Sequence, residues 1–430
     1  MVDRSIPPVI HDVPQLPMPG VERIYLPNGI QLVTLDSGDQ ADVTRVTFSW
    51  KGGRHDGPMA PVSEIASRLF TAGSIDMSPD AVADQLDYNG AWLSNELLGH
   101  NNTITLFALN RSLDTLLGTL VGIINRPLFP DREFNVIRGK LAAQRATQLE
   151  RVTTHAEELD RMLAFGNSHP SARKWSPDEI LAISLDEAIT ESHRLVGHQA
   201  PTVFIVGRIT PATLKTVVSR LSQIDCNPLD RGHALVIPAT PSASTRRHAE
   251  LPHSLQSTIR ITIPTANRQD PDYENIRLMT TALGGYFGSR LMTNIREEKG
   301  LTYGITAAVY GYHEGAFITI SSQCDNSYVN RVIDEVEHEI DILSTTLMDS
   351  NEINAVKQVA TGSMLTMLDT PFNIMDYHLV KHHINTPQDY FERQQRAISS
   401  LTPETIRDTA LRYLANSPRL VSTAGASVCS

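Results

Sequence analysis

The chain has 430 residues, 41% hydrophobic and 20% charged, with a formal net charge of −11. That length exceeds one ordinary core and implies at least two domains, while the acidic balance and the lack of any basic face exclude nucleic acid as a partner. No apolar run approaches the ~18–20 residues of a membrane span, and Cys226, Cys324 and Cys429 are too few and too scattered for a disulfide framework or a zinc knuckle.

Residues 1–22 are rich in proline and lack periodicity, which reads as an extended arm. The first residues show no basic stretch followed by an apolar one, so the cytoplasm is the default expectation and a periplasmic location stays open. Arg23 to Thr34 alternates around Asn28-Gly29, a hairpin signal. Val43 to Trp50 reads as a strand ending at Gly52-Gly53. Pro61 to Leu69 reads as a helix with Val62, Ile65, Ala66 and Leu69 on one stripe. Ser78 followed by Pro79 is a helix start. Gly90 to Leu97 and Thr103 to Leu109 read as a strand pair turned at Gly99-His100-Asn101. Helices are expected over Ser112 to Ile124 and Asp131 to Leu163, and a short strand over Val203 to Val206.

The second half repeats this order. Ser257 to Ile263 reads as a strand and Asp272 to Leu283 as a helix. Ala307 to Tyr312 and Ala316 to Ser321 read as strands turned at His313-Glu314-Gly315. Long helices follow over Val329 to Thr345 and Ser350 to Leu368. In each half the first strand and the returning one lie roughly 60 residues apart, which predicts a duplicated α+β unit. The expected division is an arm over 1–22, a first domain over 23–228, a linker over 229–254 with Pro238, Pro241 and Arg246-Arg247-His248, and a second domain over 255–430.

The most specific string is L-G-G-Y-F-G-S-R-L-M-T-N-I-R-E-E-K-G-L-T-Y-G-I, Leu283 to Ile305. Helical spacing turns Leu291, Met292 and Ile295 inward and leaves Arg296 at the margin, and Gly300 caps the helix just before Tyr303. The two side chains, seven residues apart across a helix end, can share one cleft. The string resembles the second-domain signature of the pitrilysin/insulinase-type zinc peptidases, the inverted zincins, in the short two-domain form of the mitochondrial processing peptidase subunits. Further marks span roughly Val21 to Ala424: Gly52-Gly53-Arg54, Phe165 to Pro170, Val206-Gly207 and Gln256-Ser257. The resemblance implies two homologous domains, each a mainly antiparallel sheet with helices packed on one face. It also implies that Arg296 and Tyr303 act on the substrate backbone and on the oxyanion of the tetrahedral intermediate, and that Gly284, Gly285 and Ser289 border the substrate. The strand Ala91 to Glu96, with Trp92 and Asn95, stands where the family adds a substrate peptide by backbone pairing.

The zinc motif departs from the family. An inverted zincin carries H-x-x-E-H on a first-domain helix and a downstream glutamate. Here the matching helix has Glu64 and Arg68 at the ligand positions and Ser67 at the base, and Phe134 to Leu149 contains no Asp or Glu. Glu64 and Arg68 read as a helix salt bridge. The H-L-V-K-H-H run, with His378, His382 and His383, reads as a solvated helix face. The expectation is therefore a chain inactive alone and without a cofactor of its own. It would be the non-zinc subunit of a heterodimeric zinc metallopeptidase, binding peptide and supplying Arg296 and Tyr303 to a homologous zinc-bearing subunit, with no membrane partner. The other reading is a catalytically inactive scaffold or peptide-binding protein of the same fold.

Overall fold

The computed structural model describes residues 16–38, 42–384 and 386–427, so most of the expected arm lies outside the described residues. The first half supplies β1 (Glu22–Tyr25), β2 (Gln31–Asp36), β3 (Val43–Lys51), β4 (Trp92–Leu97), β5 (Asn101–Leu109) and β6 (Thr202–Gly207), which form a sheet in the order β1-β2-β6-β3-β5-β4. The second supplies β7 (Arg246–Glu250), β8 (Gln256–Thr265), β9 (Thr302–Gly311), β10 (Ala316–Asp325) and β11 (Leu420–Gly425), ordered β7-β11-β8-β10-β9. Apart from β1 the orders correspond strand for strand. Even the parallel pairs match, β2 with β6 and β7 with β11, in otherwise antiparallel sheets. The register repeats too. Thr47 pairs with Thr105 and Thr262 with Thr319, each pair joined hydroxyl to hydroxyl at 3.0 Å. The duplication is thus a physical repeat. β7 falls inside the span read as a linker.

The helices of the first half are α1 (Ala60–Phe70), α2 (Pro79–Tyr88), α3 (Leu113–Asn125), α4 (Asp131–Leu149), α5 (Val152–Phe165), α6 (Pro177–Leu181), α7 (Leu185–Leu195) and α8 (Pro211–Leu221). Those of the second are α9 (Tyr273–Gly284), α10 (Val329–Thr345), α11 (Ser350–Thr366), α12 (Pro371–Ile384), α13 (Tyr390–Ser399) and α14 (Pro403–Ala410). Local chemistry sets several starts: the Ser78 hydroxyl accepts from the Ala81 N–H, and Pro79 follows at the first position of α2.

Each sheet packs one face on helices of its own half. Phe48, Trp50 and Ile104 meet Leu117 and Leu120 of α3 and Leu221 of α8; Ile261, Ile263 and Ile318 meet Met279 and Leu283 of α9 and Val336 of α10. The other face is covered by the opposite half. α5 lays Leu163, Ala164 and Phe165 on Phe317 and Leu420 of the second sheet, and α12 lays Phe372, Met375 and Leu379 on Val33, Phe204 and Val206 of the first. Equivalent ion pairs fix the two crossings. Arg260 Nε lies 3.1 Å from Asp160 of α5, and Arg45 Nη2 lies 2.6 Å from Asp376 of α12. Arg45 and Arg260 each stand two residues before the paired threonine of their strand.

This exchange corrects two expectations. The helix expected over Asp131 to Leu163 is two helices, parted at Glu150–Arg151, where Arg151 is extended (φ −98°, ψ 130°) so that α5 can turn onto the second sheet. Neither glycine nor proline marks the break; tertiary packing makes it. The run expected as a solvated face is half-buried. His382 packs its ring 5.4 Å from Phe204, and His383 Nε2 lies 2.9 Å from Ser49 Oγ of β3. Burial first, then Lys51 and Arg23, pushes His382 down to about 4. Burial, then His382 and His313, pushes His383 down to about 4.

Candidate functional site: a repacked motif helix and an arginine–tyrosine pair

α1 forms because its apolar residues recur at helical spacing, and it buries Val62, Ile65 and Leu69 against Phe134, Ala142, Ile180 and Ala188. Its polar residues are absorbed in structure. Ser67 donates to Asn102 Oδ1 at 2.7 Å, and Ser63 donates to the buried Glu191. The Arg68 guanidinium straddles one Glu64 oxygen at 2.7 and 3.0 Å. Asn95 Nδ2 donates to the Ser67 carbonyl and, at 3.0 Å, to Thr71 Oγ1, so its amide braces the end of α1.

Beside α1 lies a cavity of about 360 Å³, lined by Glu64 and Arg68 and, from α4, by Gln144 and Gln148. The cavity offers no imidazole pair on α1 and no α4 carboxylate, so the residues present do not fit an inverted-zincin metal. Its wall instead carries Arg54, Arg68, Arg145, Arg161, Arg173 and Lys174 against Glu64 and Glu158. Positive charge persists here, but as guanidinium and ammonium, which cannot bind and ionise a water as a metal does.

In the second half, the polar groups after α9 are in part tied down and in part left open. After α9 the chain folds tightly. A Cβ on Gly284 would come within 2.7 Å of Ala307, so this glycine permits α9 to lie close against β9, and one on Gly285 would come within 2.6 Å of the Thr281 Cα in the last turn of α9, where the chain leaves the helix. Arg290 forks onto Glu352 at 2.6 and 2.9 Å and anchors the segment. Ser289 is buried and its hydroxyl has no partner among the described residues. Met292–Glu298 then runs as a π-helix, with Lys299 N–H reaching Asn294 O at 3.1 Å and Leu301 N–H reaching Ile295 O at 3.0 Å. Such widened turns concentrate at functional sites. Asn294 ties it to α10 through Glu339 at 2.6 Å.

The widened turn presents Arg296 over two rings, its guanidinium carbon 4.6 Å from the Phe287 centroid and 5.5 Å from that of Tyr303. Opposite Tyr303 the ladder skips: Gln323 pairs with Gly304 and Cys324 with Thr302, leaving Tyr303 as the extra residue of a bulge. A bulge re-aims a side chain, and Tyr303 stands 89% exposed on an edge strand. The structure therefore brings Arg296 and Tyr303 together. It does not bring them to the α1 cavity, whose lining includes neither. Trp92 lies on the other sheet's edge strand, exposed and stacked 4.5 Å from Phe107. A larger cavity of about 600 Å³, between α9, α11, α12 and α13, contains none of these residues.

One polar cluster escaped sequence reasoning. His55 and Asp56 follow β3, His100 turns between β4 and β5, and Glu314 sits at the matching turn between β9 and β10. Glu314 Oε1 lies 2.8 Å from His55 Nδ1 and 2.9 Å from His100 Nε2, and Asp56 Oδ1 is 3.0 Å from His100 Nδ1. Burial opposes the charge on His100, but hydrogen bonds to Asp56 and Glu314 outweigh it and push the ring up to about 9. Burial likewise works to raise Glu314, but the two histidines hold it well below the usual carboxylate range. The available signal was positional: charged residues at equivalent turns of a repeat.

A duplicated α+β chain whose motif helix lacks both histidines and the catalytic glutamate has the architecture of a peptidase-like protein without the zinc motif. Residues 198–359 match the family described as Peptidase M16 inactive domain. Across 93% of its length the chain is 21% identical to an uncharacterized zinc protease of Streptomyces coelicolor, covering 88% of that protein. A peptidase M16 inactive domain from Pseudomonas fluorescens has the same fold at TM-score 0.83 and 20% identity, over 95% of this chain and 99% of that one. A protease from Helicobacter pylori superposes at TM-score 0.80 and 15% identity, over 94% and 99%. The second half is thus similar to the M16 inactive domain, and the whole chain shares the fold of M16-type proteins while its α1 lacks the H-x-x-E-H residues. No helix among the described residues is long and apolar enough to cross a membrane.

Proposed function

We propose that this chain is the non-zinc subunit of a heterodimeric zinc metallopeptidase, supplying Arg296 and Tyr303 to the active site of a homologous zinc-bearing partner. The observation that carries the reading is the state of that pair. A π-turn and a bulge hold the two side chains together, Tyr303 in solvent and Arg296 half-buried beside it. The guanidinium makes no hydrogen bond or ion pair among the described residues, and the pair does not line the cavity of its own α1. An unpaired cation beside an exposed phenol suits a peptide carbonyl that becomes an oxyanion. The partner would supply the metal chemistry, and this chain would orient the substrate and stabilise developing charge. Unfolded or short peptides are the expected substrates, held against an exposed sheet edge such as β4, with Trp92 alongside.

The test is reconstitution with a zinc-bearing homologue, fitting kcat and KM for each variant. Tyr303→Phe should lower kcat far more than it raises KM, because the phenol acts mainly on the transition state. Arg296→Ala should raise KM as well. Unchanged constants in both variants would leave this subunit a scaffold.

A further inference from the structure

We propose that His55, His100 and Glu314 form a binding site for a first-row transition-metal dication, zinc being the best match, at the junction of the two domains. It uses none of the α1 residues, although His55 also lines the cavity beside α1, and it goes beyond the function proposed above. His55 Nδ1, His100 Nε2 and Glu314 Oε1 all lie within 4.8 Å of one another. Zinc bonds of about 2.0–2.2 Å place neighbouring tetrahedral donors about 3.3 Å apart. Glu314 Oε1, now 2.8 and 2.9 Å from the two nitrogens, need retreat only about half an ångström to admit the ion.

The surroundings match what metal-bound imidazoles need. Such a histidine gives its other ring nitrogen to a fixed acceptor, which sets the tautomer and aims the ring. His100 Nδ1 has Asp56, and Asp56 is itself pinned by the N–H groups of Gly53 at 2.8 Å and Leu235 at 2.7 Å. His55 Nε2 has Ser171 Oγ at 3.3 Å. The backbone is shaped around the rings. A Cβ on Gly99 would stand 2.9 Å from His55 Nδ1, and one on Gly53 would meet the Leu98 carbonyl at 2.3 Å. Two imidazoles turn a nitrogen to the same Glu314 oxygen. Two imidazoles and a carboxylate favour zinc and its neighbours over magnesium or calcium, which take oxygen ligands. Because His55 and His100 belong to the first domain and Glu314 to the second, the ion would clip the two hairpin turns together and set the angle between the domains.

The experiment uses the full chain, stripped by chelator and titrated with Co²⁺, whose visible absorption reports geometry, followed by displacement with Zn²⁺. The expected result is one ion per chain with tetrahedral bands. Glu314→Gln and His100→Ala should each weaken binding more than about 100-fold, and Asp56→Asn, which removes no ligand, by about 10- to 100-fold. Glu64→Ala should leave binding unchanged. His55→Ala, at the least buried ligand, supplies a ligand variant should a buried one fail to fold by circular dichroism. No stoichiometric uptake at micromolar metal, uptake that survives the ligand variants, or uptake lost with Glu64→Ala would each overturn the site.

Discussion

In the first half, α1 turns Ser63 and Ser67 inward to Glu191 and Asn102 and ties its outward Glu64 to Arg68. In the second half, the segment after α9 leaves a half-buried guanidinium without a hydrogen bond or ion pair among the described residues, beside a phenol in solvent. The sheets behind these two segments share strand order and register, so sheet topology does not explain the difference. It lies in how polar groups are satisfied: a site that has become structure consumes its own hydrogen-bonding capacity, and one poised for a ligand leaves it open.

The sharpest way to break this comparison is kinetic. In a reconstituted complex, Tyr303→Phe should cost on the order of 10²–10³ in kcat, the usual loss for one oxyanion donor, while Arg68→Ala should stay within about twofold. Equal losses would erase the distinction between the halves. The chain without a partner should hydrolyse no peptide; chelator-sensitive cleavage by the rigorously purified chain would count against the assignment.

The next effect concerns how the second half covers the first. His382 and His383 are held near 4 by burial, below their unfolded value of about 6.5. Between these values the unfolded chain binds more protons, so stability is full above pH 6.5 and is lost as pH falls toward 4. Allowing for coupling between the rings, the loss is on the order of 3 kcal/mol. Denaturant titrations of His383→Gln across that window should show a flatter pH dependence than the parent; parallel curves would mean α12 is not sensed by these rings.

A smaller effect separates the two crossings. Asp160 is buried and Asp376 half-exposed, so a double-mutant cycle on Arg260–Asp160 should give coupling of about 1–3 kcal/mol, against no more than ~1 kcal/mol for Arg45–Asp376. A larger value for the exposed pair would contradict burial as the cause. Smallest of all, Glu64→Ala should change stability by less than about 0.5 kcal/mol, as for an ordinary helix-surface pair.

Most of this architecture is legible along the chain because it is local. Alternation marks β3, β5, β8 and β10, Asn28-Gly29 marks the first hairpin, and Ser78-Pro79 marks the start of α2. The arginine–tyrosine string stands out because glycines, a helix and its cap fall in a fixed order. What escapes is set by distant partners. The break between α4 and α5 has no breaking residue and exists because the second sheet needs a cover. The bulge at Tyr303 depends on how β10 pairs. His100 and Glu314 read as turn residues until folding superposes two turns from opposite halves.

The exchange of α5 and α12 bears on how this chain can be cut. The stretch matched by the family model, 198–359, contains α9, α10 and most of α11 but neither α5 nor β11. Produced by itself it would present the bare side of its sheet, Phe317 included, to water. That makes it an aggregation-prone fragment and not a separable module. Conversely, the half whose α1 lacks the zinc motif cannot be trimmed away as vestigial, since its α5 is the lid on the half that carries the arginine and the tyrosine.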